Sequence, residues 1–302
     1  MSDAADPSSP TPAGRQDCGD GTPADIFEEI LALVRPERLL RDPRATGEGV
    51  RVCVVDSGVE RGLLEERFRH RGQEIYPIEG GVFVQGQPEP LPYDGRQSAP
   101  HGTTVADILL TIAPRVRLFS ADVFGPQGSS EAEVLVRALH WAVDVWKCQI
   151  VNLSLGVPEQ RLSPVQRRYQ LLRAVEDGYF KDVLIFAAAD NEHPLTHSYP
   201  AVFAPPLLSV DKGPFDDPLG FDYALHERIE FRAHGRGYVG PFASEPATSW
   251  AAPHLAGIAA RLLSLRPGLK PFEVKTLLYW MSLPRSGPQA SGNVSPLAGE
   301  SP

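Results

Sequence analysis

Four short, nearly unbroken apolar runs constrain the fold more than any other feature of the sequence. They lie at 50–55, 116–123, 150–156 and 183–189, with amphipathic stretches between them. The first contains Val52-Cys53-Val54-Val55 with no alternating polar positions. Such a run suits a strand covered on both faces, as in a parallel sheet flanked by helices. Weaker strands are expected at 81–84, 206–211 and 228–233. Helical spacing appears at 24–40, through Ile26, Ile30, Leu33 and Val34. A second helix is expected from an N-cap at Ser129 or Ser130, with Glu133 as its capping acid. It would run to about Trp146 and bury Val134, Leu135, Leu139, Ala142 and Val145. A third spans 163–178 and closes on Gly178. Two C-terminal helices follow at 249–264 and 271–281, the latter opening on Pro271.

Strand and helix therefore alternate, which predicts an α/β fold with a doubly wound, mostly parallel sheet and helices on both faces. Residues 1–23 are rich in Pro, Ser, Gly and Asp and are expected to form a disordered tail. The helical arm at 24–46, the main domain at 47–283 and a flexible tail at 284–302 complete the organisation. The 302 residues suffice for one large buried core. A formal charge of -9 argues against nucleic acid as a partner, because neutralising phosphates needs a basic face. The three cysteines, Cys18, Cys53 and Cys148, form neither a CxxC site nor an even disulfide framework, which is compatible with a reducing compartment. The first residues lack a basic and then apolar leader, and no run is long enough to span a bilayer. The expectation is a cytoplasmic protein without a membrane partner. No feature sets an oligomeric state.

Ligand sites in doubly wound folds lie beyond the carboxyl ends of strands. Asp56 and Ser154 sit at two such ends. Downstream, His101-Gly102-Thr103 opens one apolar helical stretch and Thr248-Ser249 opens another. Alone, each has an ordinary explanation: Asp56 a turn residue, His101 a structural histidine, Ser249 an N-cap. Together they supply a carboxylate, an imidazole and a hydroxyl. A serine hydroxyl becomes nucleophilic when a base takes its proton and a buried carboxylate orients that base. Ser249 at a helix start adds backbone donors for a developing oxyanion, and Asn191, after the fourth apolar run, would complete that hole.

The stretches Val55-Asp56-Ser57-Gly58, His101-Gly102-Thr103, Asn191 and Thr248-Ser249-x-Ala251-Ala252-Pro253-His254-x-Ala256-Gly257 resemble the motifs of the subtilisin-like serine proteases. The order acid, base, nucleophile is also the order in subtilisin. The resemblance covers about 47–282. It implies a subtilisin-like fold and peptide-bond hydrolysis through an acyl-enzyme on Ser249, with protein or peptide substrates. It further implies that Ser154-Leu155-Gly156 and the segment 124–128, beginning Phe124-Gly125, pair with an extended substrate by adding a strand.

The sequence departs from that pattern where Asp190 precedes Asn191, Ala247 precedes Thr248 and Trp250 follows Ser249. Asp190 would oppose an oxyanion if aimed at it, or favour Lys or Arg substrates if aimed into the first specificity pocket. His254 is expected to pack within the serine helix. His193 and His197 with Asp190 and Glu192 match no zinc spacing. Many subtilisin-like proteins bind calcium, but the acidic pairs Glu65-Glu66 and Asp216-Asp217 spell out no such site, so no metal or cofactor is expected. The segment before Val50 is short for a folded pro-domain, which favours an intracellular processing peptidase with a protein substrate. The alternatives are a catalytically impaired peptide-binding relative and an acyl transferase that closes peptide macrocycles.

Overall fold

The apolar runs become the interior strands of one nine-stranded sheet. The computed structural model describes residues 42–125, 131–226, 228–239 and 245–283. The expected arm at 24–40, the Ser129/Ser130 cap, positions 126–128 and the C-terminal tail lie outside the described residues. The strands are β1 Arg51–Asp56, β2 Glu79–Val82, β3 Leu91–Pro92, β4 Arg117–Asp122 and β5 Ile150–Leu153. After the short β6 Val157–Pro158 come β7 Leu184–Ala188, the short β8 Ser198–Tyr199, β9 Leu208–Gly213, β10 Phe221–His226 and β11 Ile229–His234. The helices are α1 Arg61–His70, α2 Pro100–Ile112, α3 Ala132–His140, α4 Val165–Phe180, α5 Thr248–Leu265 and α6 Pro271–Ser282.

The main sheet has the order β10-β11-β9-β7-β5-β1-β4-β2-β3. Every pairing from β11 to β2 is parallel, and one antiparallel strand closes each edge. β6 and β8 form a separate antiparallel pair. From β1 the chain skips to β2 and β3 at one edge, returns to lay β4 between β2 and β1, and then adds β5, β7, β9 and β11 on the other side. That reversal puts a crevice beyond the ends of β1 and β5, where such folds bind ligands.

Alternate residues of β1 feed two cores. Val52 and Val54 pack with α1, α2, α5 and α6, whereas Cys53 and Val55 pack with α3 and α4. All four are fully buried, which is why the run carries no polar alternation.

The stretch 60–100, whose glycines and prolines suggest loops, opens with helix α1, and three further local readings differ from the structure. The helix begun at Ala132 changes to a π-helical turn at Trp141–Val145. The wider turn rotates the phase of the apolar face, so Ala142 stays buried while Val145 is 53% exposed. Gly178 does not close its helix, which continues to Phe180. A Cβ there would lie 2.9 Å from the Ile185 Cδ1, so this glycine permits close contact between α4 and β7. The antiparallel edge strand β10 was not anticipated; its residues Asp222 to Leu225 are half-buried or exposed, leaving little apolar pattern to read.

Candidate active site

Asp56 ends β1, and its side chain turns into the crevice with only 1% of its surface exposed. A buried carboxylate needs donors, and four bonds supply them. The Ser57 N–H donates at 2.7 Å and the Ser57 hydroxyl at 3.1 Å. His101 Nδ1 lies 2.9 and 3.0 Å from the two carboxylate oxygens. An ionised carboxylate only accepts, so Nδ1 carries hydrogen and Nε2 is left with a lone pair in the neutral imidazole. Burial disfavours the imidazolium, but the charge of Asp56 and its hydrogen bond outweigh that penalty and raise the His101 pKa.

The imidazole reaches Asp56 because α2 starts directly over the end of β1. Pro100 occupies the first turn of that helix, where its missing N–H costs nothing. Gly102 permits the approach: a Cβ there would sit 2.2 Å from the Gly58 carbonyl oxygen and 3.2 Å from Asp56 Cβ. The Ser57 hydroxyl stitches the two elements, accepting from the Gly102 N–H at 3.1 Å and sharing its single hydrogen between the Ala99 carbonyl at 2.9 Å and Asp56.

Ser249 lies in the first turn of α5, where backbone N–H groups have no intrahelical partners. Its neighbour Trp250 packs on the imidazole, with ring centroids of Trp250 and His101 4.8 Å apart and the planes tilted by 34°. The indole is 2% exposed and is held by Nε1 donating to the Glu245 carbonyl at 3.0 Å. The start of α5 therefore meets the base candidate through Trp250. Among the described residues, however, no hydrogen bond joins Ser249 to His101. The Ser249 hydroxyl donates to the Ser154 carbonyl at 3.1 Å, and the Ser154 hydroxyl donates back to the Ser249 carbonyl at 2.8 Å. Asn152 Nδ2 donates to that Ser154 hydroxyl at 2.9 Å, so the strand end and the helix start are locked together.

The Asn191 amide has a fixed orientation. Its Oδ1 accepts from the Thr248 N–H at 3.0 Å, while the Thr248 hydroxyl donates to the Ala189 carbonyl at 2.8 Å. A backbone N–H can only donate, so the atom facing it is oxygen and Nδ2 faces away. Among the described residues, neither Asn191 Nδ2 nor the Ser249 N–H has a hydrogen-bond partner within the chain. Asp190 is turned along its own loop, where Oδ1 accepts from the Glu192 N–H at 2.9 Å and from the Thr196 hydroxyl.

Leu155 and Gly156 continue from Ser154 along the crevice, half-buried and exposed respectively. Phe124 and Gly125 lie beyond the end of β4, with their N–H groups turned inward. Both donate to Asp122 Oδ1 at 3.0 Å. Asp122 was not singled out from the sequence, although it ends a strand just as Asp56 does and is paired with it in register. His193 approaches His226, with ring nitrogens 3.4 Å apart, but among the described residues no group of three or more His, Cys, Asp or Glu is placed to hold a metal ion. His254 is fully buried and packs in α5, as expected.

The subtilase family model matches residues 47–211, more than half of the chain. That match contains Asp56, His101 and Asn191 and ends before Ser249. M-protease of Shouchella clausii (strain KSM-K16) is 28% identical over 256 residues, which cover 77% of this chain and 59% of that one. Subtilisin Savinase of Lederbergia lenta is also 28% identical, with 77% of this chain and 83% of that one covered. Among solved structures, S41 Psychrophilic Protease superposes with a TM-score of 0.62 at 22% identity, covering 81% of this chain and 87% of its own. With the family model matched from Gly47 to Asp211, the chain belongs to the subtilase family.

Proposed function

We propose that the chain is a serine endopeptidase in which Ser249 attacks the peptide carbonyl, His101 moves the proton and Asp56 orients His101. The observation that carries this reading is the Asp56–His101 pair, which leaves Nε2 as a free lone pair beside the start of the Ser249 helix. Rotation about the Ser249 side-chain bond moves its hydroxyl from the Ser154 carbonyl toward Nε2. The proton passes to Nε2 as Oγ bonds to the carbonyl carbon, and the imidazolium then gives that proton to the departing amine. Water releases the acyl group by the same steps reversed. The Ser249 N–H and Asn191 Nδ2 serve as the oxyanion donors. Ser154, Leu155 and Gly156, with the backbone at Phe124 and Gly125, serve as edges for an extended substrate.

The finer role is an intracellular processing peptidase with a defined protein substrate. The free, buried thiols of Cys53 and Cys148 are compatible with a reducing compartment. A fluorophosphonate probe should label the protein and fail to label Ser249→Ala. Cleavage-site profiling against that variant would read the substrate, and cell fractionation the compartment. One observation favours a second reading, a peptide-binding relative that does not cut: the Ser249 hydroxyl rests on the Ser154 carbonyl and not on His101. Peptide binding without labelling would establish that alternative and remove the first.

A further inference from the structure

Asp122 is a second carboxylate buried at the mouth of the crevice, outside the proposed triad. It is 2% exposed and lies at the end of β4, in register with Asp56. Burying a charge is costly without several donors, and Asp122 has gathered three. Oδ1 accepts from the N–H groups of Phe124 and Gly125, both at 3.0 Å. Oδ2 accepts from the Ser98 hydroxyl. No basic side chain pairs with it among the described residues.

These donors come from two different parts of the crevice. Phe124 and Gly125 belong to the backbone that follows β4, and Gly125 holds a positive φ of 53° in that turn. Ser98 belongs to the segment leading into α2. Its N–H donates to the Ser57 carbonyl at 2.7 Å, and the Ser57 hydroxyl in turn donates to Asp56 Oδ1 at 3.1 Å. Asp122 therefore ties the turn at 124–125 to the segment that fixes Asp56 and His101. The space is made by Gly58, with φ of +81°: a Cβ there would lie 2.9 Å from Asp122 Oδ2. Both N–H groups at 124–125 are taken up by Asp122, which fixes the course of this backbone.

Resting on the peptidase reading, we propose that Asp122 is a positioning residue for extended substrates, holding the strand-pairing backbone at Phe124–Gly125 at a fixed distance from the Asp56–His101 pair. Its contribution grows with the number of substrate residues bound beyond the scissile bond. A single-residue ester uses only the reacting centre, whereas a tetrapeptide amide also uses the backbone that Asp122 holds.

The test compares kcat/KM for those two substrate classes, both corrected by active-site titration with a fluorophosphonate. In Asp122→Ala the peptide-to-ester ratio should fall at least tenfold. In Asp122→Asn the amide oxygen still accepts both N–H groups, but without charge assistance, and the ratio should fall two- to fivefold. A merely structural defect lowers the titrated fraction and leaves the ratio unchanged, which would overturn the proposal. If Asp122→Ala does not fold, folded Asp122→Asn with a wild-type ratio overturns it equally. Wild-type protein that takes no probe overturns the peptidase reading first, and the two failures are thus told apart before any variant is measured.

Discussion

The buried histidine of the serine helix sets a specific acid limit on stability. His254 is fully buried in α5. Its Nδ1 lies 2.6 Å from the Trp250 carbonyl oxygen, and its Nε2 lies 2.7 Å from the Tyr238 hydroxyl. The carbonyl can only accept, so Nδ1–H donates to it and Nε2 accepts from Tyr238. Protonation at Nε2 would force the second bond to reverse, with Tyr238 turning to accept, and would bury a cation. The ring of His234 stands 4.8 Å away, and behind Tyr238 its backbone carbonyl accepts from Arg67, which pairs with the buried Asp107. Burial, reinforced by His234 and only partly opposed by the bond to Trp250, depresses the His254 pKa from 6.5 to about 3.

A depressed folded-state pKa means that the unfolded chain takes up the proton first. Stability from this group is present above pH 6.5 and is lost as pH falls toward 3. At about 1.36 kcal/mol per pKa unit, the full loss is about 5 kcal/mol, of which about 3 kcal/mol has gone by roughly pH 4.5. His101, Asp107, Asp211 and Glu230 have raised pKa values and act in the opposite sense, gaining stability on acidification. A difference measurement is therefore needed. Urea unfolding of Ser249→Ala, which prevents self-digestion, should be followed from about pH 7.5 to 4.5 with and without His254→Gln. The glutamine variant shifts the whole curve by a constant, whereas only the parent carries the additional acid loss of about 3 kcal/mol. Curves parallel within about 0.5 kcal/mol would refute the buried neutral imidazole.

Three further outcomes follow from the same geometry. Because Asp56 raises the His101 pKa, kcat/KM should climb with pH through a value above the ordinary 6.5, and Asp56→Asn should move that limb downward, as read from a pH profile and from imidazole NMR titration. Asn191→Ala removes the proposed Nδ2 donor, and kcat should fall by about 10²–10³, the magnitude known for the corresponding donor in subtilisin, with little change in KM. Trp250→Ala removes a side chain that is 2% exposed and should cost about 3–5 kcal/mol in urea unfolding, while releasing one face of the His101 ring.

Much of the fold is legible because its signals are local. The strand at Arg51–Asp56 follows from four adjacent residues that tolerate no polar face, and α6 opens where Pro271 suits a first turn. Sequence periodicity fails where a tertiary contact overrides it. Nothing in Trp141-Ala142-Val143 announces a π-turn that rotates Val145 into solvent. Gly178 carries the composition of a helix stop, yet its role is to let Ile185 come close. The strand Phe221–His226 pairs on one side only and shows no run of buried positions, so its place in the sheet comes from partners and not from pattern.

The site divides along the same line. Asp56, His101, Asn191 and Ser249 are legible as residue types at element ends, because a strand terminus or a helix start is where a side chain can face a crevice. The bonds that draw them together are not legible, since they join residues far apart along the chain, as from His101 to Asp56. Asn191 owes its orientation to Thr248, and Ser249 finds its resting partner in Ser154. Trp250 shows how a departure from a familiar motif is absorbed, the indole becoming a wall for the imidazole, while Asp122 is a second strand-end acid that ties the neighbouring backbone. Asp122 lay within reach of the rule that singled out Asp56, because both terminate adjacent parallel strands. A carboxylate at a strand end identifies the crevice; whether it faces the reacting centre or holds the crevice in shape is decided by the donors it gathers.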